Sequence, residues 1–377
     1  MKIGIVCYPT FGGSGVIATE LGIALAAQGH DIHFVTYRQP FRLDSFLENI
    51  TYHEVIIGNY PLFEYPPYET ALAGKMVSVA LYEKLDLFHV HYAVPHASAG
   101  YLARQILNSL GMTVPIITTL HGTDITLVGK NASFEQVVTF AINESAGVTS
   151  VSQSLKEETY KNFRISKEIS VIPNFIDLKR FSKKPKDHFR KAIAPNGEKI
   201  VVHASNFRKV KRVEDVLKVF EKIQEKVPSK LLLIGDGPER NNIEKLSHEI
   251  ICANHIRFLG KMEAVEEILS VSDLFLLTSE TESFGLAALE AMACQVPVIS
   301  TNSGGIPELN IHGRTGFLSG VGDVADMAKN SLKLLSDEAL LLQFKANALS
   351  QAKNFDLNKI LPLYENLYAG VLAKAGV

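Results

Sequence analysis

Residues 3–37 read IGIVCYPTFGGSGVIATELGIALAAQGHDIHFVTY, and this stretch decides the fold. Ile3 to Tyr8 is a short β-branched run, and a glycine loop follows it. Val16 to Gln28 then repeats apolar residues at helical spacing, and His30 to Tyr37 is a second strand-like run. That order predicts a βαβ unit, whose parallel strands need cover on both faces. The rhythm recurs in strand-like Leu87 to His91, helical Ser98 to Leu110, strand-like Pro115 to Leu120 and Gly147 to Val151. Around Ile169 to Phe181 the pattern becomes an extended VIPNFID segment, and Ser182 to Lys199 is charged with little apolar spacing, which predicts a linker.

A second series follows the linker. Strand-like Ile200 to His203, Lys230 to Ile234, His255 to Leu259, Asp273 to Thr278 and Pro297 to Thr301 alternate with helical Val213 to Lys226, Pro238 to Cys252, Glu263 to Val271 and Gly285 to Cys294. From Asp323 onward the chain reads as consecutive helices. The expected division is a domain over residues 1–170 and another over 171–356, with a C-terminal helix, 357–377, packing back on the first. Composition agrees with two α/β domains: 377 residues, 46% hydrophobic and 21% charged, exclude a disordered, collagen-like or coiled-coil chain. A formal net charge of −2 offers no global field for nucleic acid or an anionic membrane, so neither is an expected partner. Cys7, Cys252 and Cys294 are scattered and odd in number, MKIGIVCYP is too short for a signal core, and no long apolar run occurs. A cytoplasmic setting is expected.

In doubly wound sheets ligands bind beyond the carboxyl ends of strands. The loops there are Pro9 to Gly15, His121 to Asp124, Asn206 to Arg212, Gly235 to Gly237 and Ser279 to Gly285. Gly13 and Gly15 leave room for an anion at a helix N-terminus, or simply make a tight turn. Gly13-x-Gly15-x-x-Ala18 also fits the loose dinucleotide fingerprint, but the next strand ends in Arg38 without an acid for a ribose, so an NADP enzyme stays open. Glu282 and Glu290, eight residues apart, bracket Phe284-Gly285-Leu286 at a helix start. Glu282 reads as loop and Glu290 as helix; if both lay on the helix they would stand about 12 Å apart along its axis, too far for a retaining glycosidase pair, and a bend before Gly285 would shorten that gap, so hydrolysis is disfavoured and stays open. Arg208, Lys209, Lys211 and Arg212 precede a helix, where cations need an anionic partner or water. His121 ends a strand and is a candidate donor, whereas His89, His91 and His96 read as packing.

The Gly-rich first loop, Arg208 with Lys211, and the Glu282-x7-Glu290 pair resemble the retaining GT-B glycosyltransferases of family 4 over nearly the whole chain. Pro9 to Gly15, His121 to Thr126 and Ser205 to Asp215 are similar, more narrowly, to the members that open bacillithiol biosynthesis by joining UDP-N-acetylglucosamine to L-malate. The resemblance implies two facing Rossmann-like domains with parallel sheets and a cleft between them, the first mainly for acceptor and the second for nucleotide. By it Arg208 and Lys211 hold the diphosphate, Glu282 the sugar hydroxyls and Glu290 the ribose, with Phe284, Gly285, Leu286 and Arg257 also on the donor side and Gly13 and Gly15 touching donor or acceptor. His121 matches the family histidine near the sugar. Ser14, Tyr92, Thr119 and Asn206 are acceptor candidates by loop position, and Arg38 and Arg104 are further cations for a dicarboxylate. The chain has no Asp-x-Asp pair, so no metal or other cofactor is expected and side chains must neutralise the leaving group. A family 4 enzyme with another small acceptor and a non-catalytic two-lobed sugar-binding protein remain the alternatives, and a homo-oligomer is left open.

Overall fold

A computed structural model describes residues 1–10, 12–43, 47–58, 64–128, 131–184 and 186–376. These fall into two units, Met1–Asn174 with Asn358–Val377, and Phe175–Leu357.

The first unit contains β1 (Lys2–Val6), α1 (Ser14–Ala27), β2 (Asp31–Thr36), β3 (Ile50–Glu54), α2 (Tyr68–Glu83), β4 (Leu87–His91), α3 (Ser98–Ser109), β5 (Ile116–Leu120), α4 (Ala132–Glu144), β6 (Gly147–Ser150), α5 (Gln153–Asn162) and β7 (Ile169–Val171). Its sheet runs β3-β2-β1-β4-β5-β6-β7, and every pairing is parallel. All residues of β4 and β5 are buried, as strands covered on both faces must be. The edge strand β3 is different: Thr51, Tyr52, His53 and Glu54 are polar or half-exposed, so it carries no apolar signal and the sequence reading passes over it. That reading also omits α2, whose Leu72, Ala73, Met76 and Val79 pack on Val35 and Val55. The C-terminal helix Leu357–Ala375 inserts Tyr364 and Tyr368, both fully buried, and lays Val371 and Leu367 against Gly147.

The second unit contains α6 (Asp187–Ile193), β8 (Lys199–Ala204), α7 (Val213–Gln224), β9 (Ser229–Ile234), α8 (Arg240–Glu249), β10 (Ile256–Gly260), α9 (Val265–Leu269), β11 (Leu274–Leu277), α10 (Leu286–Ala293), β12 (Val298–Thr301), α11 (Ile306–Leu309), β13 (Gly316–Ser319), α12 (Val324–Leu335) and α13 (Glu338–Ala352). Its sheet is again parallel throughout, in the order β10-β9-β8-β11-β12-β13. The stretch read as a linker is partly helical, because α6 has Asp187 in its first turn and Arg190 and Lys191 in its last, the charge order a helix dipole favours. Arg190 and Lys345 both close on the buried Asp273, at 2.7 and 2.8 Å, and so tie α6 and α13 to the start of β11. No helix among the described residues is long and apolar enough to cross a membrane.

Candidate functional site

Each sheet has one point where strand order reverses, and there the loops beyond two neighbouring strands diverge and leave a crevice. In the first unit that point lies between β1 and β4. The loop after β1 leads into α1, and the residue after β4 is Tyr92, held at φ 86°. The Ser14 hydroxyl, on the first residue of α1, lies 2.6 Å from the Tyr92 hydroxyl, so two of the acceptor candidates meet across the reversal. The ring of His121, after β5, stands 5.2 Å from that of Tyr92.

Behind this edge lies a buried polar lattice. His91 Nδ1 and His121 Nε2 are 2.8 Å apart. His89 bonds the Tyr368 hydroxyl at 2.8 Å through Nδ1 and the Thr119 hydroxyl at 2.7 Å through Nε2, and Thr119 meets Thr149 at 2.7 Å. Burial, with His89 and His96 adding, pushes His121 down to about 3, and burial alone pushes His89 down to about 3. His96, lowered by burial against the help of its bond to the His91 carbonyl, sits at about 4. The rings are therefore neutral, and a single proton lies between the facing nitrogens of His91 and His121. Asp124 accepts from the Ala93 and Gly122 amides, both at 3.0 Å, and staples the loops after β4 and β5. Burial raises its carboxyl to about 6 against those bonds.

In the second unit the reversal lies between β8 and β11. Arg208 and Lys211 follow β8, Glu282 follows β11, and Lys211 Nζ is paired with Glu282 Oε1. Ser279 Oγ donates to the same carboxylate oxygen at 2.9 Å, and Thr278 Oγ1 donates to the carbonyls of Lys211 and Arg212 at 2.9 and 3.0 Å. The cations gathered before α7 have distinct partners: Arg212 bonds Asp215 at 2.7 Å, while Arg208 and Lys209 are exposed. Glu214 and Asp215 supply the first turn of α7 with its own negative charge. His203, fully buried at the end of β8, bonds the Leu276 carbonyl and the Ser205 hydroxyl at 2.9 and 2.8 Å, and burial outweighs that carbonyl bond to bring it to about 4.

Several expected roles change with this geometry. Thr119 is fully buried and occupied by His89 and Thr149, so it positions the lattice and does not face an acceptor. Asn206 belongs to the second unit, two residues before Arg208, so it shares a loop with Arg208 and Lys211 and does not lie in the unit that carries Ser14 and Tyr92. Phe284 is buried edge-on against Phe355 at 5.5 Å between ring centres, which leaves its side chain to packing. Arg257 lies within the edge strand β10, level with Leu232 of β9, and not in a loop beyond the carboxyl edge. Arg104 is held by the carbonyl and carboxylate of Glu144, at 2.6 and 2.9 Å. Gly15 is needed by the fold itself, since a Cβ there would stand 2.4 Å from the Tyr8 carbonyl, whereas Gly13, at φ 58°, caps α1 with open space around it. Gly285 caps α10 at φ 95°, and its close neighbour is Ile306, not open space. Leu286 and Glu290 lie in the first and second turns of α10, both partly exposed, and Glu282 precedes the helix, as expected.

Residues 11–180 match the family described as Glycosyltransferase Family 4, and residues 185–351 match Glycosyl transferases group 1. The chain is 48% identical to N-acetyl-alpha-D-glucosaminyl L-malate synthase of Bacillus anthracis, over 99% of this chain and 97% of that protein. The chain belongs to the family 4 glycosyltransferases. A glycogen synthase of Mycobacterium tuberculosis is 27% identical over 98% of this chain and 94% of its own. Among solved structures, sucrose-phosphate synthase from Thermosynechococcus elongatus superposes with a TM-score of 0.83 at 20% identity, over 99% of this chain and 100% of that one. Anabaena HepE in complex with UDP and glucose gives 0.81 at 20% identity, over 98% and 99%. The two parallel-sheet units are thus those of a GT-B glycosyltransferase.

For this glycosyltransferase the sequence reading missed the residues that hold the site from behind. His91, Asp124 and His203 look like ordinary strand or loop residues, and only their three-dimensional partners give them a task. A legible signal did exist at Gly304, φ 57°, in the Gly-Gly-Ile-Pro-Glu stretch: a Cβ there would lie 2.0 Å from the Glu282 carbonyl, and Gly305 N–H donates to that carbonyl at 2.9 Å.

Proposed function

We propose that this glycosyltransferase moves N-acetylglucosamine from UDP-N-acetylglucosamine to the hydroxyl of L-malate, with retention at the anomeric carbon, as the first step of bacillithiol biosynthesis. The observation that carries the proposal is the 48% identity with the Bacillus anthracis synthase over essentially both full chains. The site chemistry supports it. In the second unit Arg208 and Lys211 supply positive charge for the diphosphate, Glu282 accepts from sugar hydroxyls and Glu290 from the ribose. The charge on the departing UDP is neutralised by these side chains and by the N-terminus of α10, with no metal required. In the first unit α1 has no acid in its first turn, so its N-terminal amides and the Ser14 and Tyr92 hydroxyls suit a carboxylate of the acceptor. His121, neutral and engaged by His91 through Nε2, is the first unit's candidate donor.

The bond from the anomeric carbon to the diphosphate breaks as the malate oxygen attacks the same face, and the malate hydroxyl proton passes to the leaving phosphate oxygen. No separate carboxylate base is assigned, because Asp124 is committed to two backbone amides. The free cysteines Cys7, Cys252 and Cys294 are all buried, which fits a reducing, cytoplasmic setting. The test is UDP release from UDP-N-acetylglucosamine with and without L-malate, with the product anomer read by proton NMR. Malate-dependent release of UDP with an α-linked product, at a rate indifferent to added Mg²⁺ or Mn²⁺, is the expected result. Release that ignores malate would mean hydrolysis and overturn the assignment, and so would no release at all.

A further inference from the structure

We propose that His33, His53 and Glu83 form a binding site for a zinc-type divalent cation at the edge of the first unit's sheet. The strands β2 and β3 pair in parallel with His33 opposite Thr51 and His53 opposite Val35, which sets both imidazoles on the same face, one step diagonal to each other. Their rings stack at 5.2 Å between centres, and His33 Nδ1 faces His53 Nε2 at 3.0 Å. Glu83, the last residue of α2, completes the group: one ligand atom from each residue lies within 4.8 Å of the others. Metal–nitrogen bonds of about 2.0–2.1 Å in a tetrahedron place ligand atoms about 3.3 Å apart. The two nitrogens already stand near that separation, and a rotation of the carboxylate closes the third side.

The surroundings match a metal-bound histidine. His33 is 2% exposed, and its Nε2 has no hydrogen-bond partner but sits 3.6 Å from Asp31 Oδ1. A carboxylate behind the ring nitrogen that does not ligate is the usual outer support of a histidine ligand. Lys2 and Lys75 are the cations that face the pair, and Asp31 and Glu83 are the acids that oppose them. Two imidazoles, one carboxylate and one remaining position for water are a donor set suited to zinc. An ion there would pin β3, the least covered strand of the sheet, to β2 and to the end of α2.

The experiment uses untagged full-length protein, stripped with a chelator and desalted, and titrates Zn²⁺ in competition with a chromogenic chelator. Co²⁺ absorption in the visible reports tetrahedral coordination, and the melting temperature is read with and without Zn²⁺. One Zn²⁺ per chain, intense Co²⁺ bands, a rise in melting temperature with Zn²⁺, and at least tenfold weaker binding in both His53→Gln and Glu83→Gln are expected. Glu83→Gln, at a helix end, keeps the test valid if His53→Gln fails to fold. Absence of stoichiometric binding would overturn the proposal, and so would binding that folded variants retain in full.

Discussion

Replacing Lys211 with methionine tests the charge arrangement on which the proposed transfer depends. Lys211 and Glu282 are 19% and 14% exposed, so their pair is only lightly screened by solvent. When UDP leaves, a negative charge develops on the diphosphate, and a unit charge 4 Å away in such surroundings contributes about 4 kcal/mol at an effective dielectric constant of about 20. Mutational loss of one preorganised donor falls in the same range, about 2.7 to 4 kcal/mol, which is about a hundred- to a thousandfold in kcat. Lys211→Met is therefore expected to lower kcat for malate-dependent UDP release by about a hundredfold or more, with a smaller change in KM for UDP-N-acetylglucosamine. The substitution also leaves the Glu282 carboxylate without its cation and accepting from the Ser279 hydroxyl, at a cost of about 1–3 kcal/mol of stability, so folding must be verified by thermal melting before rates are compared. Glu282→Gln and the double variant complete a cycle, and the double variant is expected to be less impaired than the product of the two single effects. A folded Lys211→Met enzyme with kcat within threefold of the wild type would refute the assignment of this lysine to the leaving group.

Three further outcomes follow from the same geometry. His89, His96, His121 and His203 all have folded-state pKa values near 3 to 4, below the ordinary imidazole value. Their contribution to stability is complete above about pH 6.5 and is lost as the pH falls toward 4, at about 1.4 kcal/mol per ring per pH unit; melting temperature measured from pH 8 to 4 should drop steeply below 6.5, and a flat profile there would contradict the buried neutral lattice. Gly304→Ala forces a Cβ to 2.0 Å from the Glu282 carbonyl at a positive φ, so it should lower both the melting temperature and kcat by tenfold or more in the latter, and wild-type turnover would show that the loop yields freely. Thr119→Val should cost about 1–3 kcal/mol of stability with little effect on KM for malate, whereas Ser14→Ala and Tyr92→Phe should raise that KM; the reverse pattern in steady-state kinetics would return Thr119 to the acceptor site.

The βαβ opening was legible because parallel strands covered on both faces are mostly apolar, as Ile3 to Val6 and, apart from His33, Ile32 to Val35 are. Edge strand β3 and helix α6 escaped for the complementary reason: Thr51 to Glu54 and the charged stretch around Asp187 face water on one side and show little apolar period. The candidate residues Arg208, Lys211, Glu282, Ser14 and Tyr92 were visible as loop positions after strands. That Lys211 meets Glu282, and Ser14 meets Tyr92, was not, because residues 71 and 78 positions apart are joined by strand order alone. Thr119 and Phe284 show the converse error, since a loop-end position says nothing about which way a side chain is taken up by packing. Local pattern determined the parallel α/β units and their loops, because periodicity is a property of neighbouring residues, and motif resemblance pointed to the family. Which of those loops became a site, and which histidines became its neutral support, was decided only when the sheets reversed their strand order and burial withdrew the rings from water.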